Sequence, residues 1–337
     1  MRIRRLVFGA LVTFVLISAT SVWASEKVTV DNFVRAEADM YFKRYATQGG
    51  FGKFIHIRKP TPLDRQDVIR MNLDTLYSIG IFDLTQPLTI TKPKTDRWQS
   101  MLLITQDHSI PPAIYKPGTY TFTQKQVGTR YVAVVFRTLV NATNPDDILQ
   151  ANAVQDQIKV KQADTGALEV PDWDEESLGI VRGALNVLST TVSDTSLMFG
   201  EKDKLNPIYH LLGTAFGFGG NPKADATYIN VYPEQNNGKI NHALTVEDVP
   251  VDGFFSITVY NAKGFMEKNM LGINAFNNLT AKPNKDGEIT FHFGGCEDGR
   301  INCIPITDGW NYLVRMYQPK EAILNGSWKF PDPKPVK

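Results

Sequence analysis

Residues 73–105 read LDTLYSIGIFDLTQPLTITKPKTDRWQSMLLIT, a segment in which short apolar runs alternate with turn residues. The same rhythm continues to residue 137. The runs predict strands at Thr75–Leu84, Leu88–Thr91, Ser100–Thr105, Thr119–Gln124 and Tyr131–Arg137. Turn signals such as Gln86-Pro87 separate them. Short strands at this spacing are typical of an antiparallel sandwich or barrel.

The chain becomes β-rich again from Ala226 to its end. The apolar runs there predict strands at Thr227–Tyr232, His242–Val246, Phe254–Tyr260, Glu288–Phe293 and Tyr312–Tyr317. Asn284-Lys-Asp-Gly287 predicts a hairpin turn that joins Leu279–Lys282 to the strand beginning at Glu288. The sequence therefore predicts a second antiparallel β domain.

Helical patterns occupy the N-terminal edge and the middle of the chain. Residues 31–46 predict a helix, because Val34, Ala38, Tyr41 and Tyr45 repeat at helical spacing. Asn144-Pro145 predicts the start of a second helix, which runs to about residue 162. A third helix is predicted over residues 174–199 by a stripe of apolar residues: Leu178, Val181, Leu185, Leu188 and Val192.

These patterns divide the chain into segments. We expect an N-terminal β domain at residues 25–141, a helical connector at 142–222 and a C-terminal β domain at 223–337. A mature chain of about 310 residues exceeds the usual size of one hydrophobic core, which also favours two domains. The glycine-rich residues 213–220 follow helical sequence and lack the Lys-Ser/Thr pair of a phosphate-binding loop, so they predict an ordinary loop.

Residues 1–24 have the pattern of a secretory signal peptide. Arg2, Arg4 and Arg5 precede the apolar residues 6–17, and Val22 and Ala24 provide the small side chains that signal peptidase requires. An uncleaved membrane anchor is the alternative, but about a dozen apolar residues are too few to span a bilayer as a helix. We therefore expect cleavage after Ala24 and a protein located in the periplasm or secreted, with no transmembrane segment in the mature chain.

The charge balance excludes several kinds of partner. The chain has 36 basic and 35 acidic residues, and removal of the signal leaves it slightly acidic. Nucleic acids and anionic membrane surfaces attract strongly basic proteins, so neither is expected as a partner.

The chain has two cysteines, Cys296 and Cys303. Outside the cytoplasm, a pair this close in sequence most simply forms a disulfide. Reduced thiols and a metal or redox site are the alternatives. A metal site needs more ligands, and a redox pair favours Cys-x-x-Cys spacing.

The densest polar segment of the first β region is the main candidate for a functional site. On an extended chain Arg70, Asn72 and Asp74 share one face, and Tyr77 follows closely. A guanidinium, an amide and a carboxylate placed side by side can bind a polar ligand or orient a water molecule. The alternative is a structural cluster that satisfies loop backbone groups, with Arg70 and Asp74 as an internal ion pair.

His108 is a second candidate. It follows Asp107 at the end of a predicted strand, where it could act as an acid or base. Adjacent residues on a strand point to opposite faces, so Asp107 would not orient it. Nucleophile motifs such as Gly-x-Ser-x-Gly are absent, and the five histidines are too widely spaced to predict a metal site. No cofactor is predicted.

The chain resembles the DUF1254 and DUF1214 families. Arg70-x-Asn72-x-Asp74-Thr-Leu-Tyr77-Ser78, followed by Phe82-Asp83-Leu84, is similar to the core signature of DUF1254. The DUF1214 resemblance rests on residues 249–265, on Asn302-Cys303-Ile-Pro305, on residues 313–319 and on Gly326-Ser-Trp328. Cys303 stands where many relatives have tryptophan, which suggests a subgroup with a disulfide.

The resemblance implies a mainly β protein with an α insert, in which two antiparallel β-sandwich (jelly-roll-like) domains flank a helical segment. It supplies no catalytic residues. We therefore expect an exported envelope protein, and the first hypothesis is a hydrolase that acts on a small polar substrate with Arg70, Asn72, Asp74, Tyr77 and His108. The alternatives are a non-catalytic protein that binds a small molecule or carbohydrate, and an envelope assembly protein that forms homo-oligomers.

Overall fold

The structure is a computed structural model that describes residues 25–66, 69–192 and 194–336. The predicted signal peptide, residues 1–24, lies outside the described residues. Within them, the helices are α1 (Phe33–Tyr45), α2 (Gln124–Val127), α3 (Pro145–Asp156), α4 (Glu175–Ser189), α5 (Pro207–Phe216) and α6 (Glu321–Leu324).

The strands of the N-terminal half are β1 (Ile55–His56), β2 (Thr75–Asp83), β3 (Leu88–Lys92), β4 (Gln99–Thr105), β5 (Gly118–Phe122), β6 (Tyr131–Leu139) and β7 (Lys159–Lys161). Those of the C-terminal half are β8 (Ala226–Val231), β9 (His242–Val246), β10 (Phe255–Tyr260), β11 (Ala275–Asn277), β12 (Ile289–Phe293), β13 (Cys303–Ile304), β14 (Asn311–Tyr317) and β15 (Lys334–Pro335).

The N-terminal strands form a sandwich of two sheets, ordered β1-β2-β6-β4 and β5-β3-β7. Side chains alternate along each strand, so Phe82, Val134 and Met101 point toward the second sheet and pack on Leu88 and Ile90 there. Strands β4 and β6 are buried along their whole length. Because both faces of β4 and β6 are buried, a further layer must cover the face of the first sheet that points away from the second sheet.

Helix α1 and the helical connector together supply that third layer. Ile79, Ile81 and Ile104 on the opposite face of the first sheet pack against Phe42 of α1 and against the segment that contains Phe199. Helices α1, α4 and α5 share a further core. The loops of this helical layer therefore lie over the first sheet, where they form part of a cavity wall.

The C-terminal strands form a second sandwich, with sheets ordered β11-β10-β14-β8 and β13-β12-β9-β15. All of its strand pairs are antiparallel except β12 with β13. Ile257, Tyr312 and Val314 point into its core and meet Phe291 and Phe293 from the facing sheet. The alternation therefore places Arg315 and Tyr317 of β14 on the outer face, which packs against the N-terminal domain.

The predicted fold class is confirmed: the chain is mainly β, with two antiparallel β-sandwich domains and a helical insert. The predicted domain limits at residues 141 and 222 remain predictions. Among residues 25–66, 69–192 and 194–336, no helix has the length and apolar character needed to cross a membrane. Cys296 and Cys303 are joined as a disulfide, as the sequence predicted.

Local differences have simple physical causes. The predicted second helix ends at Asp156, and Lys159–Lys161 instead pairs with β3 as an edge strand. Residues 279–282 form no strand, because β12 pairs with β9 and β13. Leu188 is exposed rather than buried, and helix α5, which begins at the cap Asn206, extends into the glycine-rich segment as far as Phe216.

Candidate functional site

A cavity of about 450 Å³ lies where the two domains and the helical layer meet. Strands β2 and β6 contribute Tyr77 and Arg137 on one side, and β8 and β14 contribute Tyr228, Arg315 and Tyr317 on the other. Helix α1 and residues 216–220 complete the wall with aromatic side chains and glycines. The volume lies within the range of about 300–1,000 Å³ that is usual for small-molecule sites.

Asn72 connects the two domains beside this cavity. Its side-chain oxygen accepts hydrogen bonds from the backbone N–H groups of Asp74 (2.5 Å) and Thr75 (3.1 Å). Its Nδ2 donates to the hydroxyl of Tyr317 at 3.2 Å and lies 3.4 Å from that of Tyr77. This amide therefore caps the start of β2 and orients two tyrosines at the same time.

Arg137 is buried, and no carboxylate of the described residues forms a salt bridge with it. Its guanidinium donates to the carbonyl oxygen of Gly219 and to Oδ1 of Asn221, both at 3.1 Å. It also lies over the ring of Tyr77, 5.5 Å from the centroid. The Asn221 side chain donates in turn to Tyr228, at 2.7 Å. These neutral oxygens hold the Arg137 guanidinium in place but do not neutralise its positive charge.

Arg315 is the second buried cation. It donates to Oγ1 of Thr258 at 2.9 Å, to the hydroxyl of Tyr260 at 2.7 Å and to the backbone oxygen of Arg70 at 2.8 Å. The Arg70 side chain donates to the hydroxyl of Tyr232 at 2.6 Å and lies over the rings of Tyr232 and Tyr260. Its Nη1 is buried and has no hydrogen-bond partner among residues 25–66, 69–192 and 194–336.

The side chains that line the cavity carry one sign of charge. Among the described residues, they include Arg70, Arg137 and Arg315 and no aspartate or glutamate. Asp74 and Asp225 lie behind the wall, close enough to interact with Arg315 and Arg137, and burial raises the pKa of both carboxyls. The charged side chains on the described cavity surface itself are therefore all positive.

The tyrosines at that end are hydrogen-bond donors. Burial raises the pKa of Tyr228 and Tyr317, so both hydroxyls stay protonated at neutral pH. Each accepts a hydrogen bond from a side-chain amide and keeps its own proton. Arginine and tyrosine donors together create a site that is suited to an oxygen acceptor with negative charge.

His108 lies behind the aromatic wall and not on the cavity surface. It is fully buried, and its ring stacks on Phe218, with centroids 4.4 Å apart. Its Nε2 accepts from the N–H of Gly219 at 2.9 Å, so Nδ1 carries the proton and donates to Thr214, 2.8 Å away. Burial lowers the pKa of His108 to about 3, and the ring is therefore neutral. This histidine positions residues 218–219 of the cavity wall.

Asp74 is also sealed from the cavity. It is 1% exposed and accepts hydrogen bonds from Ser256 (2.6 Å) and Asn277 (3.3 Å) of the C-terminal domain. These contacts differ from the Arg70–Asp74 ion pair that the sequence suggested as a structural alternative. Of the residues that the sequence selected, Arg70, Asn72 and Tyr77 therefore come together on the cavity, whereas Asp74 and His108 support it from behind.

Arg137, Arg315, Tyr228 and Tyr317 line the cavity but were not among the site residues predicted from the sequence. A signal was present, because Arg137 and Arg315 are charged residues inside otherwise apolar strands. A charge at such a position indicates either a special partner or a functional site. Among the described residues, no group of three or more His, Cys, Asp or Glu side chains is arranged to hold a metal ion.

One solved structure shares the fold of this chain. A crystal structure of a Vibrio parahaemolyticus protein matches with a TM-score of 0.70 at 19% identity, covering 91% of this chain and 98% of that chain. A putative uncharacterized protein from Burkholderia cenocepacia has a TM-score of 0.48 at 11% identity, covering 86% of this chain and 85% of the other. No curated protein matches the chain.

Two family models match different parts of the chain. DUF1254, a family of proteins of unknown function, matches residues 51–162, which contain β1 to β7. DUF1214, also described as a protein of unknown function, matches residues 227–321, which span most of the second sandwich. The cavity lies between the two matched regions and takes residues from both. The chain is thus a member of the proteins that carry DUF1254 and DUF1214 domains in tandem.

Proposed function

We propose that the interdomain cavity binds a small amphipathic anion, a molecule with a carboxylate-like group at one end and an apolar body. The observation that carries this proposal is the set of three arginines, Arg70, Arg137 and Arg315, on a lining whose described residues include no carboxylate. A buried cation is costly unless a counter-charge or several hydrogen bonds stabilise it. An anionic ligand provides both.

The composition of the lining supports one orientation for such a ligand. The anionic group lies near Arg137 and Arg315, where Tyr77, Tyr228 and Tyr317 supply further donors. The apolar body lies against the other walls, which include Phe42, Ile79, Val135, Phe199 and Phe218. Most small-molecule sites have this composition, with apolar walls and a few polar groups that fix orientation.

A hydrolase has less support from the same geometry. The described lining residues include no serine, cysteine, histidine, aspartate or glutamate, so a nucleophile or general base would have to come from tyrosine or threonine. Asp74 and His108 contact residues of the protein interior instead. Binding without chemistry, the alternative in the sequence analysis, is therefore the function that we propose.

Export is part of the proposal. The pattern of residues 1–24 supports it, and so does the Cys296–Cys303 disulfide, because disulfides persist in oxidising compartments. A periplasmic or secreted protein that holds an amphipathic anion would act as a carrier or scavenger of that molecule. Mass spectrometry of the protein isolated from the periplasm should give an N-terminus at Ser25.

Isosteric ligands of different charge test the binding function. Octanoate and 1-naphthoate have a carboxylate where octanamide and 1-naphthamide have a neutral amide of similar shape. We expect the carboxylates to raise the melting temperature and to bind measurably by calorimetry, and the amides to bind at least roughly tenfold more weakly. Equal binding of acids and amides, or tighter binding of octylamine, would contradict an anion site.

A further inference from the structure

A second, smaller cavity borders Leu73 and Asp74, next in sequence to the residues that line the main cavity. Its volume is about 200 Å³. One wall comes from the N-terminal domain, with Asp74 and the loop at residues 140–143, and the other from residues 272–280 of the C-terminal domain. The main cavity and this one therefore border consecutive residues of the same short segment.

The polar groups of the second cavity are amides, hydroxyls and one carboxyl. The side chains of Asn274 and Asn277 are buried. Nδ2 of Asn274 donates to the backbone oxygen of Glu267 at 2.7 Å, but its Oδ1 is buried and has no hydrogen-bond partner in the described part of the chain. A buried acceptor without a partner is unusual in a folded protein and indicates that a donor belongs there.

The charge and the volume of the second cavity limit which hydrogen-bond donor could pair with Oδ1 of Asn274. The one carboxyl, Asp74, already accepts hydrogen bonds from Ser256 and Asn277 and lies near Arg315. The Asp74 carboxyl thus does not require a cationic ligand, and a neutral O–H donor suits the site. The volume is below the range of about 300–1,000 Å³ for drug-sized ligands, so it fits a single small ring.

The rest of the lining suits a molecule with hydroxyl groups on one side and C–H groups on the other. Phe276 and Leu279 provide apolar surface next to Asn141, Thr143 and Thr280. We propose that the second cavity binds a neutral polyhydroxylated ring, either a free sugar or one residue of a longer glycan. This site is independent of the anion proposed for the main cavity.

Neutral and charged sugars test the proposal. Calorimetry and side-chain amide NMR of the full mature protein would use glucose, galactose and myo-inositol as neutral probes, and glucosamine and glucuronate as charged ones. We expect a neutral probe to bind and to shift the Asn274 side-chain amide signal. If none of the neutral probes binds at tens of millimolar, or if glucosamine alone binds, the proposal is wrong.

A cavity-filling variant locates the binding. Ala142 lines the second cavity on a loop, so Ala142→Phe should occupy it without disturbing a sheet. We expect at least a roughly tenfold loss of sugar affinity. The control Ala153→Phe places the same ring on an exposed position of α3 and should bind the sugar normally. Unchanged binding by Ala142→Phe would show that the sugar binds elsewhere and would overturn the assignment.

Discussion

The side chain of Asn72 donates a hydrogen bond to the hydroxyl of Tyr317, 3.2 Å away, and this bond joins the two domains beside the main cavity. The same side chain accepts from two backbone N–H groups, those of Asp74 and Thr75. One residue thus fixes a turn, the start of a strand and a tyrosine of the partner domain. The contribution of Asn72 to stability can therefore be compared with that of an asparagine that only closes a turn.

We predict that Asn72→Leu destabilises the protein by about 1–3 kcal/mol, because it leaves two backbone donors and a tyrosine hydroxyl without their partner. Urea denaturation measures the change. Asn237 is a matched control, since its side chain accepts from Lys239 and Ile240 in the same way but at an exposed position. Asn237→Leu should cost less, and an equal cost for both variants would show that the domain contact adds nothing.

Arg137→Met should weaken the binding of octanoate by roughly ten- to a hundredfold, because a hydrogen bond to a charged group contributes about 1.5–3 kcal/mol. Octanamide affinity should change much less, which separates the charge effect from general damage. Arg97→Met is the control. Arg97 forms a partly buried ion pair with Asp147 and does not line the cavity. If both variants reduce octanoate binding alike, the cavity is not the anion site.

The strands were predictable because their signal is local. Side-chain alternation and turn residues place β2, β4 and β6 within a few residues of where they lie. The segment before β2 was harder, since Arg70 has a left-handed backbone (φ 57°) and Asn72 closes a turn. Asn72 and Asp74 therefore do not share the face that an extended chain would give them, and each borders a different cavity.

The sequence could not show that the cations of the main cavity lie close together. Arg137 and Arg315 lie on strands of different domains, and only the packing of the two sandwiches brings them to one cavity. The same holds for Asp74, whose partners Ser256 and Asn277 follow it by 182 and 203 residues. His108 was identifiable as unusual, but its neutral, structural role depends on contacts with Thr214 of α5 and Gly219 of the loop that follows, which lie 106 and 111 residues further along the chain.

Removal of the disulfide should lower the free energy of unfolding by about 2–3 kcal/mol, because a bond that closes a short loop restricts the unfolded chain by this amount. The variant Cys296→Ala/Cys303→Ala and the reduced wild-type protein should therefore melt at similar temperatures. Reductant should leave the melting of the double variant unchanged. If reductant that is present throughout the melting experiment leaves the wild-type melting temperature unchanged, the disulfide does not stabilise the protein.

His108 should make the protein sensitive to acid. Its pKa is lowered by burial to about 3 in the folded state, whereas an unfolded histidine titrates near its usual value of about 6.5. Between these two values the unfolded chain binds a proton that the folded protein does not, so stability falls as the pH drops below about 6.5. Integrated from about pH 7 to about pH 5, this one group should cost on the order of 2 kcal/mol.

The variant His108→Gln isolates that effect. It should be less stable than wild type at neutral pH, because the paired bonds to Thr214 and Gly219 are disturbed. Its stability should nevertheless fall less steeply with acid, so the two unfolding free energies should converge as the pH is lowered. NMR of the imidazole gives a direct check: the His108 ring should stay in the neutral Nδ1–H form down to at least about pH 4. A ring that becomes protonated near pH 6 in the folded protein would show that it is accessible, and would restore it as a candidate acid or base.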